Sequence, residues 1–479
     1  MKGEAVRGPI RQGNGSATRV VLAATSISYV LVLLDTSIVN VALQSIADSF
    51  TTSISGLQWI MNAYTLTFAS LLLTGGTLGD RFGAKRVYSL GLVVFTVATV
   101  LCGVAPGPGV LIAARALQGV GAALLVPCSL TLINNSCPDP HQKAKAMGFW
   151  IGCGGAAMAA GPVVGGILIH LIGWRAIFLV SVPISLVGIW LTQRIVEEGR
   201  ASEVRHLDPM GQTTAFLGLA AIIAVLIEGP TLGWQSTEIL GGIALGVVSM
   251  VVFLIVESRR LHPMLPLKFF ESRLFSGSVF VSMASAFIFY GLLFLLSLYF
   301  QRIKGYSPLM AGLSFLPLTA VMAFGSMSSG TLLRRYGLRL PMCVAFGFYA
   351  MGCLILLFSS PTSPYWLAAM PMPLIGLASG FISPAATAPA MGTIDKARAG
   401  VAGGVLNTAR QTGAALGVAL FGTLLAAMHS FEAGMRSSVC IAAGMAVVAT
   451  VIWWRLPLQI QPVVSPPVDM APAERLSAL

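Results

Sequence analysis

Three ionisable side chains stand inside long apolar runs of this chain: Asp35 in LVLLDTSIVNVAL, Arg115 in LIAARALQGVGAALL and Arg410 in LNTARQTGAALG. A charge at membrane depth costs several kcal/mol by insertion scales, so an ionisable residue there is a functional candidate by default. Asp35 is the acid set well inside a run; Asp80, Asp139, Glu197, Glu198, Glu203, Asp208, Glu257, Glu271 and Asp395 fall between runs or at their edges. Burial favours the neutral form of a carboxyl and a nearby guanidinium favours the ionised form, so a carboxyl in such a place can carry protons. A structural role such as a hydrogen bond to the eleventh span, or a contact to substrate alone, are the competing uses of Asp35. Arg115 does not deprotonate and acts as a fixed charge, paired with a carboxylate or backbone carbonyls, or tying loops at the outer mouth. Arg410 is an anion contact, a tie between helices, or both. Asn62, Gln118 and Arg410 are the candidate substrate-pathway side chains. Glu228, at the end of a run, is either a second proton acceptor or the cap of a solvated helix end. His170 and His429 lie at run ends and read as surface groups.

The elements that hold these groups follow from composition. The 479 residues are 56% hydrophobic and 10% charged, against roughly a quarter charged for a soluble globular domain. The chain reads as an all-α integral membrane protein, with recurrent runs long enough for the ~20 residues a helical span needs. A net charge of +12 is scattered over many short loops, which argues against nucleic acid as a partner. Seven cysteines, mostly inside apolar runs, show no CxxC spacing, and neither a metal site nor a cofactor is expected. No nucleophile–base pair appears, so an enzyme is not expected. Residues 1–19 are polar and basic without a small-residue cleavage site, so the first run is expected to be a retained span.

Fourteen candidate spans emerge, near 20–44, 56–79, 87–105, 109–132, 145–170, 174–193, 212–229, 238–256, 274–300, 309–332, 340–359, 364–386, 400–428 and 433–454. With both termini in the cytoplasm, 23 of the 29 lysines and arginines fall on the cytoplasmic side, and only Arg175, Arg302, Lys304 and Arg436 fall outside. That asymmetry fits the positive-inside rule and an even number of spans. The Pro-rich stretch after Arg455 is expected to be disordered.

A repeat gives the organisation. GTLGDRFGAKR at Gly76 to Arg86 returns as GTLLRRYGLR at Gly330 to Arg339, and Gly76/Gly330, Arg81/Arg335 and Gly83/Gly337 all pair at one offset of 254 residues. A second echo pairs Gly119 with Gly376 and Pro127 with Pro384, at an offset of 257. The division is then a tail 1–19, a six-helix bundle 20–193, a linker 194–273 with two inserted helices, a second six-helix bundle 274–455 and a tail 456–479. Parallel six-helix repeats are the plan of a transporter that rocks one bundle against the other around a central site. The charges of the repeated loop also fit a purely topogenic role. As a cytoplasmic gate, Asp80 would accept hydrogen bonds from a helix N-terminus or an arginine, while Arg81 and Lys85 would pair with acids or lipid headgroups, with Gly76 and Gly83 shaping the turn. Gly152, Gly154, Gly155, Gly161, Gly165 and Gly166 thin the fifth span, and Pro162 favours a kink there. The aromatic residues Trp59, Tyr64, Phe149, Trp150, Phe289, Tyr290 and Phe294 either line a pliable pocket or serve ordinary packing and lipid contact.

These residues resemble the major facilitator superfamily, and within it the 14-helix drug:proton antiporters, over essentially all of 20–455. GTLGDRFGAKR resembles the superfamily signature, with Ala84 where a basic residue is common. Leu34 to Leu43 resembles the subfamily's first-helix motif, with Gln44 where a proline usually follows, and RALQGVGAA at Arg115 to Ala123 resembles its fourth-helix motif. GPVVGG at Gly161 to Gly166 is similar to the antiporter motif, and WRAIFLVSVPI at Trp174 to Ile184 to the sixth-helix entry, with Ser181 where asparagine is usual. The run of motifs is most similar to actinobacterial antibiotic exporters of the methylenomycin-resistance type.

The resemblance implies a multi-pass protein of the cell inner (plasma) membrane that exports small amphipathic drugs or antibiotics in exchange for protons and functions as a monomer. It places Arg115 near the proton path and gives Gly161, Pro162, Gly165 and Gly166 the task of sealing the outer route. It puts the inserted pair at the periphery. It also sets the neutral Asn62 where some exporters of dications carry an acid. A proton-coupled importer of a metabolite, or a channel or membrane sensor, are the alternatives, with GPVVGG counting against the first and the repeat against the second.

Overall fold

Gly83 and Gly337, matched by the repeat, do the same work on the backbone. Each holds a positive φ, 98° and 74°, that L-residues rarely adopt, and each separates two long helices. The structure is a computed structural model that describes residues 15–137, 139–195, 208–260, 263–395 and 398–456. The two tails expected at 1–19 and 456–479 lie almost wholly outside the described residues, as does most of the loop between the sixth and seventh spans.

The described chain is helical, in the order α1 (Gly15–Phe50), α2 (Ile54–Phe82), α3 (Ala84–Gly103), α4 (Pro108–Ser136), α5 (Pro140–Leu171), α6 (Ala176–Leu179), α7 (Ser181–Gln193), α8 (Pro209–Leu232) and α9 (Thr237–Arg259). It continues through α10 (Arg273–Leu298), α11 (Pro308–Ser314), α12 (Leu316–Tyr336), α13 (Arg339–Leu356), α14 (Tyr365–Ala369), α15 (Met372–Gly392), α16 (Ala399–Ala427) and α17 (Phe431–Arg455). Local chemistry starts many of these helices. The side chains of Ser53, Asp139, Asp208, Ser236, Ser272, Ser307 and Ser430 each accept a hydrogen bond from a backbone N–H in the first turn, a cap that contributes about 1 kcal/mol.

Twelve helical units among the described residues are long and apolar enough to cross a membrane. The molecule is a multi-pass membrane protein. Two further helices, α2 and α16, have 29 residues each and reach about 43 Å at 1.5 Å per residue, but are more polar. They spend that polarity on each other. Gln58 Nε2 donates to the carbonyls of Ala419 (2.6 Å) and Val418 (3.3 Å), and Thr408 Oγ1 donates to that of Ala69 (3.4 Å). The charged stretch at Gly76 is not the open loop its composition implies: α2 continues through Phe82, and one glycine makes the turn.

Packing repeats as the sequence does. α1 packs on α5 and α10 on α16; α2 packs on α4 and α12 on α15; α3 packs on α7 and α13 on α17. A Cβ added at Gly119 would lie 2.4 Å from the Tyr64 carbonyl oxygen, and one at Gly376 would lie 2.1 Å from that of Leu318. Tyr64 and Leu318 are themselves 254 residues apart, so the matched glycines bring matched helices into backbone contact. Among the described residues the main seams between the sets are α2 against α16 and α5 against α11 and α12, and α1 also touches α10 and α11. The inserted helix α8 is not peripheral to the first seam, since it packs on both α2 and α16. Gln212 Nε2 donates to the Ser70 carbonyl at 2.8 Å, Trp59 Nε1 to Glu228 Oε1 at 2.7 Å, and Thr423 Oγ1 to the Leu226 carbonyl at 2.5 Å.

Candidate functional site

Asp35 is the hub of a sealed polar network in the first set of helices. Its Oδ2 accepts from Arg115 NH1 at 2.5 Å, and its Oδ1 accepts from Gln118 Nε2 at 2.9 Å. Arg115 also donates through NH1 to Gln118 Oε1 (2.5 Å) and through Nε to the Ile60 carbonyl (3.3 Å). Gln118 Nε2 reaches Thr99 Oγ1 at 2.9 Å, and the Cys102 thiol donates to Gln118 Oε1 at 3.8 Å. The guanidinium lies 4.4 Å from the Tyr64 ring centroid and 5.9 Å from that of Phe178, a cation–π cage that supports a desolvated charge. Asp35 is 2% exposed and Arg115 and Gln118 0%. Five elements, α1, α2, α3, α4 and α6, therefore converge on one carboxylate.

Asp35 bonds to α4 within its own set of helices and not to the eleventh span, and Arg115 holds a carboxylate, not mouth loops. Gln118 belongs to this network, and both ends of its amide are engaged. Its place three residues after Arg115, on the same helix face, was the available signal. Thr99 and the cage role of Tyr64 had none, because nothing local marks which hydroxyl or ring a distant helix will meet. Removing one partner of such a buried pair leaves an uncompensated charge, which costs about 3–5 kcal/mol.

Asn62 is buried in α2 with neither amide atom hydrogen-bonded. An unsatisfied buried polar group costs about 1–3 kcal/mol, so Asn62→Leu is expected to raise the midpoint of thermal unfolding in detergent. If the amide serves the pathway, export falls in the same variant; a lower midpoint would show that Asn62 is satisfied in the folded protein. Arg410 sits between α15 and α16, and its NH1 donates to Ser383 Oγ at 2.5 Å.

The glycines of α5 fall into two groups. Added Cβ atoms at Gly161 and Gly165 would lie 2.9 Å from Ser37 Cβ and 2.7 Å from Ile38 Cγ1 of α1, and one at Gly154 would lie 2.2 Å from the Tyr29 ring. At Gly166 it would lie 2.7 Å from the Pro308 carbonyl oxygen, and at Gly312 it would lie 2.2 Å from that of Pro162. The GPVVGG stretch thus packs against α1 on one side and the start of α11 on the other, with Pro162 inside the unbroken α5. Gly152 and Gly155 meet nothing, so they are not part of this contact.

Just before and within the repeated motif, Gly75 and Gly79 pack on α4, where added Cβ atoms would lie 2.2 Å from the Ala123 carbonyl oxygen and 2.7 Å from Cys128 Sγ. A Cβ at Gly76 would lie 3.5 Å from Pro127. Asp80 lies beside Cys128, Arg81 lies 5.3 Å from the Phe82 ring centroid, and Lys85 is half-buried at the start of α3. Glu228 accepts from Trp59 and from Thr231 (3.0 Å), tying α8 to α2.

The Major Facilitator Superfamily profile matches residues 25–418. The chain is 36% identical over 453 residues to the methylenomycin A resistance protein of Bacillus subtilis (strain 168), covering 93% of this chain and 96% of that one. It is 33% identical over 411 residues to the drug efflux pump JefA of Mycobacterium tuberculosis (strain CDC 1551 / Oshkosh), covering 85% and 80%. A bacterial homologue of the human lysosomal transporter Spinster, in an inward-facing and occupied conformation, superposes with a TM-score of 0.65 at 19% identity, over 95% of this chain and 100% of that one.

Proposed function

The chain belongs to the Major Facilitator Superfamily, and on that premise we propose that it exports small amphipathic drugs or antibiotics from the cytoplasm, in exchange for protons, by alternating access. It is a transporter and not an enzyme, and its homologues are resistance and efflux proteins. The observation that carries the proton assignment is the Asp35–Arg115 pair, a carboxylate sealed inside the bundle and held by a permanent cation. Protonation from the outside discharges Asp35, loosens its hold on Arg115 and Gln118, and lets α1 and α4 shift. Release of that proton inward re-forms the pair. Substrate occupancy and protonation then exclude each other, so inward proton flow drives outward export.

In this reading the twelve apolar units, α2 and α16 make fourteen spans. The first and last sets of six are the rocking bundles, residues 20–193 and 274–455, and α8 and α9 are the inserted pair. The repeated packing and the two seams support that division, and the lysine and arginine asymmetry supports an inner-membrane orientation with both termini cytoplasmic. On it the α5–α11 contact is the outer seal, the Gly76–Lys85 region is the inner gate, and one copy suffices. With a single buried acid in the proton path, the substrates are neutral, weakly acidic or monocationic in preference to dicationic. In an efflux-deficient host, expression is expected to raise tolerance to several such drugs, and a protonophore to abolish the gain. Tolerance that survives the protonophore would sink proton coupling, and no gain for any drug would sink export.

A further inference from the structure

Two arginines lie inside the helical bundle, and they differ in one respect. Arg115 has its carboxylate; Arg410 does not. Arg115 pairs with Asp35, Arg260 with Asp208 and Arg436 with Glu432, whereas Arg410 has no carboxylate partner among the described residues. The hydrogen-bonding partner of Arg410 is the neutral Ser383 hydroxyl, which accepts from NH1, while the enclosed Nε has no partner. A guanidinium is never deprotonated in proteins, so its charge stands inside the protein with a hydrogen-bonding face unused.

The surroundings are those of a recognition site more than of a structural tie. Asp35 and Arg115 are sealed, but Arg410, Ser383, Tyr29 and Tyr290 are only half-buried, so a ligand can reach them. Tyr29 of α1 and Tyr290 of α10 stand close enough to Arg410 to interact with its charge. Tyr29 is stacked on Trp150 with centroids 3.7 Å apart and planes 15° apart. Trp150 is pinned by its indole N–H to the Thr25 carbonyl at 3.1 Å, and Gly154 leaves the room Tyr29 occupies. That pair is a flat apolar wall within electrostatic range of Arg410. The Ser383 hydroxyl hydrogen is not used by any described acceptor, so it can donate beside the guanidinium.

We propose that Arg410 and Ser383 form the carboxylate-binding end of the substrate site, and that the preferred cargo is a monoanionic organic acid whose apolar body lies against Tyr29 and Trp150. The inference rests on the exporter reading and narrows it. A carboxylate matches the planar donor fork of arginine and supplies the counter-charge that the protein withholds. An amide of the same shape brings no charge.

Binding of naphthalene-1-acetate and of naphthalene-1-acetamide to the purified full-length chain in detergent, measured by calorimetry near neutral pH, tests this. The acetate is expected to bind at least about tenfold more tightly than the amide, the difference of roughly one charge-assisted contact. Arg410→Gln is expected to remove that advantage, with an unfolding midpoint near that of the wild type showing that the variant is folded. Arg410→Lys is expected to keep part of it, and Ser383→Ala to reduce it to a lesser extent. Equal affinity of the wild type for both probes, no binding of the acetate, or an Arg410→Gln variant that retains the preference would each overturn the proposal. Selective acetate binding by a protein that confers no drug tolerance on cells would instead strike the exporter reading and leave the anion site standing.

Discussion

Asp35→Asn is expected to reduce proton-driven export in inverted vesicles to the level of vesicles lacking the protein, and also to lower the midpoint of thermal unfolding. Asparagine keeps the size of the side chain and can still accept from Gln118, but it removes the negative charge from a guanidinium held at 2.5 Å and fully buried. Loss of one partner from such a pair costs about 3–5 kcal/mol, most of it the penalty of a stranded charge. Stability and transport can then be separated. The double variant Asp35→Asn, Arg115→Gln strands no charge, so its unfolding midpoint is expected to recover towards that of the wild type while export stays absent. A purely structural role for Asp35 predicts that export recovers with stability. Full proton-coupled export by the single variant would refute the assignment of Asp35 outright.

The second large effect is expected at Gly312. Valine there would place its Cβ 2.2 Å from the Pro162 carbonyl oxygen and 3.0 Å from its carbonyl carbon. Both are backbone atoms of α5 that no rotamer change can move aside. The strain, about 1–3 kcal/mol for overpacking of this kind, falls on whichever conformation closes the α5–α11 seam. A transporter that alternates has another conformation available, so the protein is expected to fold, export poorly and leak protons, read as dissipation of a pH gradient in dye-loaded proteoliposomes. Gly155→Ala is the control in the same region. Its Cβ meets nothing within 4 Å, and unchanged transport is expected. A Gly312→Val protein that exports at the wild-type rate without leak would mean that the seam does not close during transport.

Much of this molecule was legible before any coordinates. Apolar length identified the twelve units long and apolar enough to cross a membrane, because a membrane helix satisfies its own backbone and is constrained mainly by hydropathy. The starts of α2, α5, α8 and α9 carry a local signal in Ser53, Asp139, Asp208 and Ser236, because a cap acts within one turn. Gly83 and Gly337 marked paired breaks, because a positive φ is a local demand. The extent of α2 was misjudged, since Asp80 and Arg81 read as loop residues; a helix end can carry charge where it leaves the apolar layer.

The sequence by itself determined the membrane class, the repeat and the identity of the costly residues: Asp35, Arg115 and Arg410 stand out because charge inside an apolar run is rare and expensive. Only the tertiary structure decided how they are paired. Asp35 and Arg115 are 80 residues apart, and Arg410 looks no different from Arg115 along the chain. Which arginine meets the carboxylate depends on the rotation and depth of each helix. Those are set by close contacts such as Gly119 on Tyr64, Gly161 on Ser37 and Gly413 on Met283, made between helices whose order in sequence does not specify their phase in space. The same packing places α8 across the α2–α16 seam and sets Arg410 against the neutral Ser383 hydroxyl. Hydropathy is a property of the segment, whereas pairing is a property of the packed bundle.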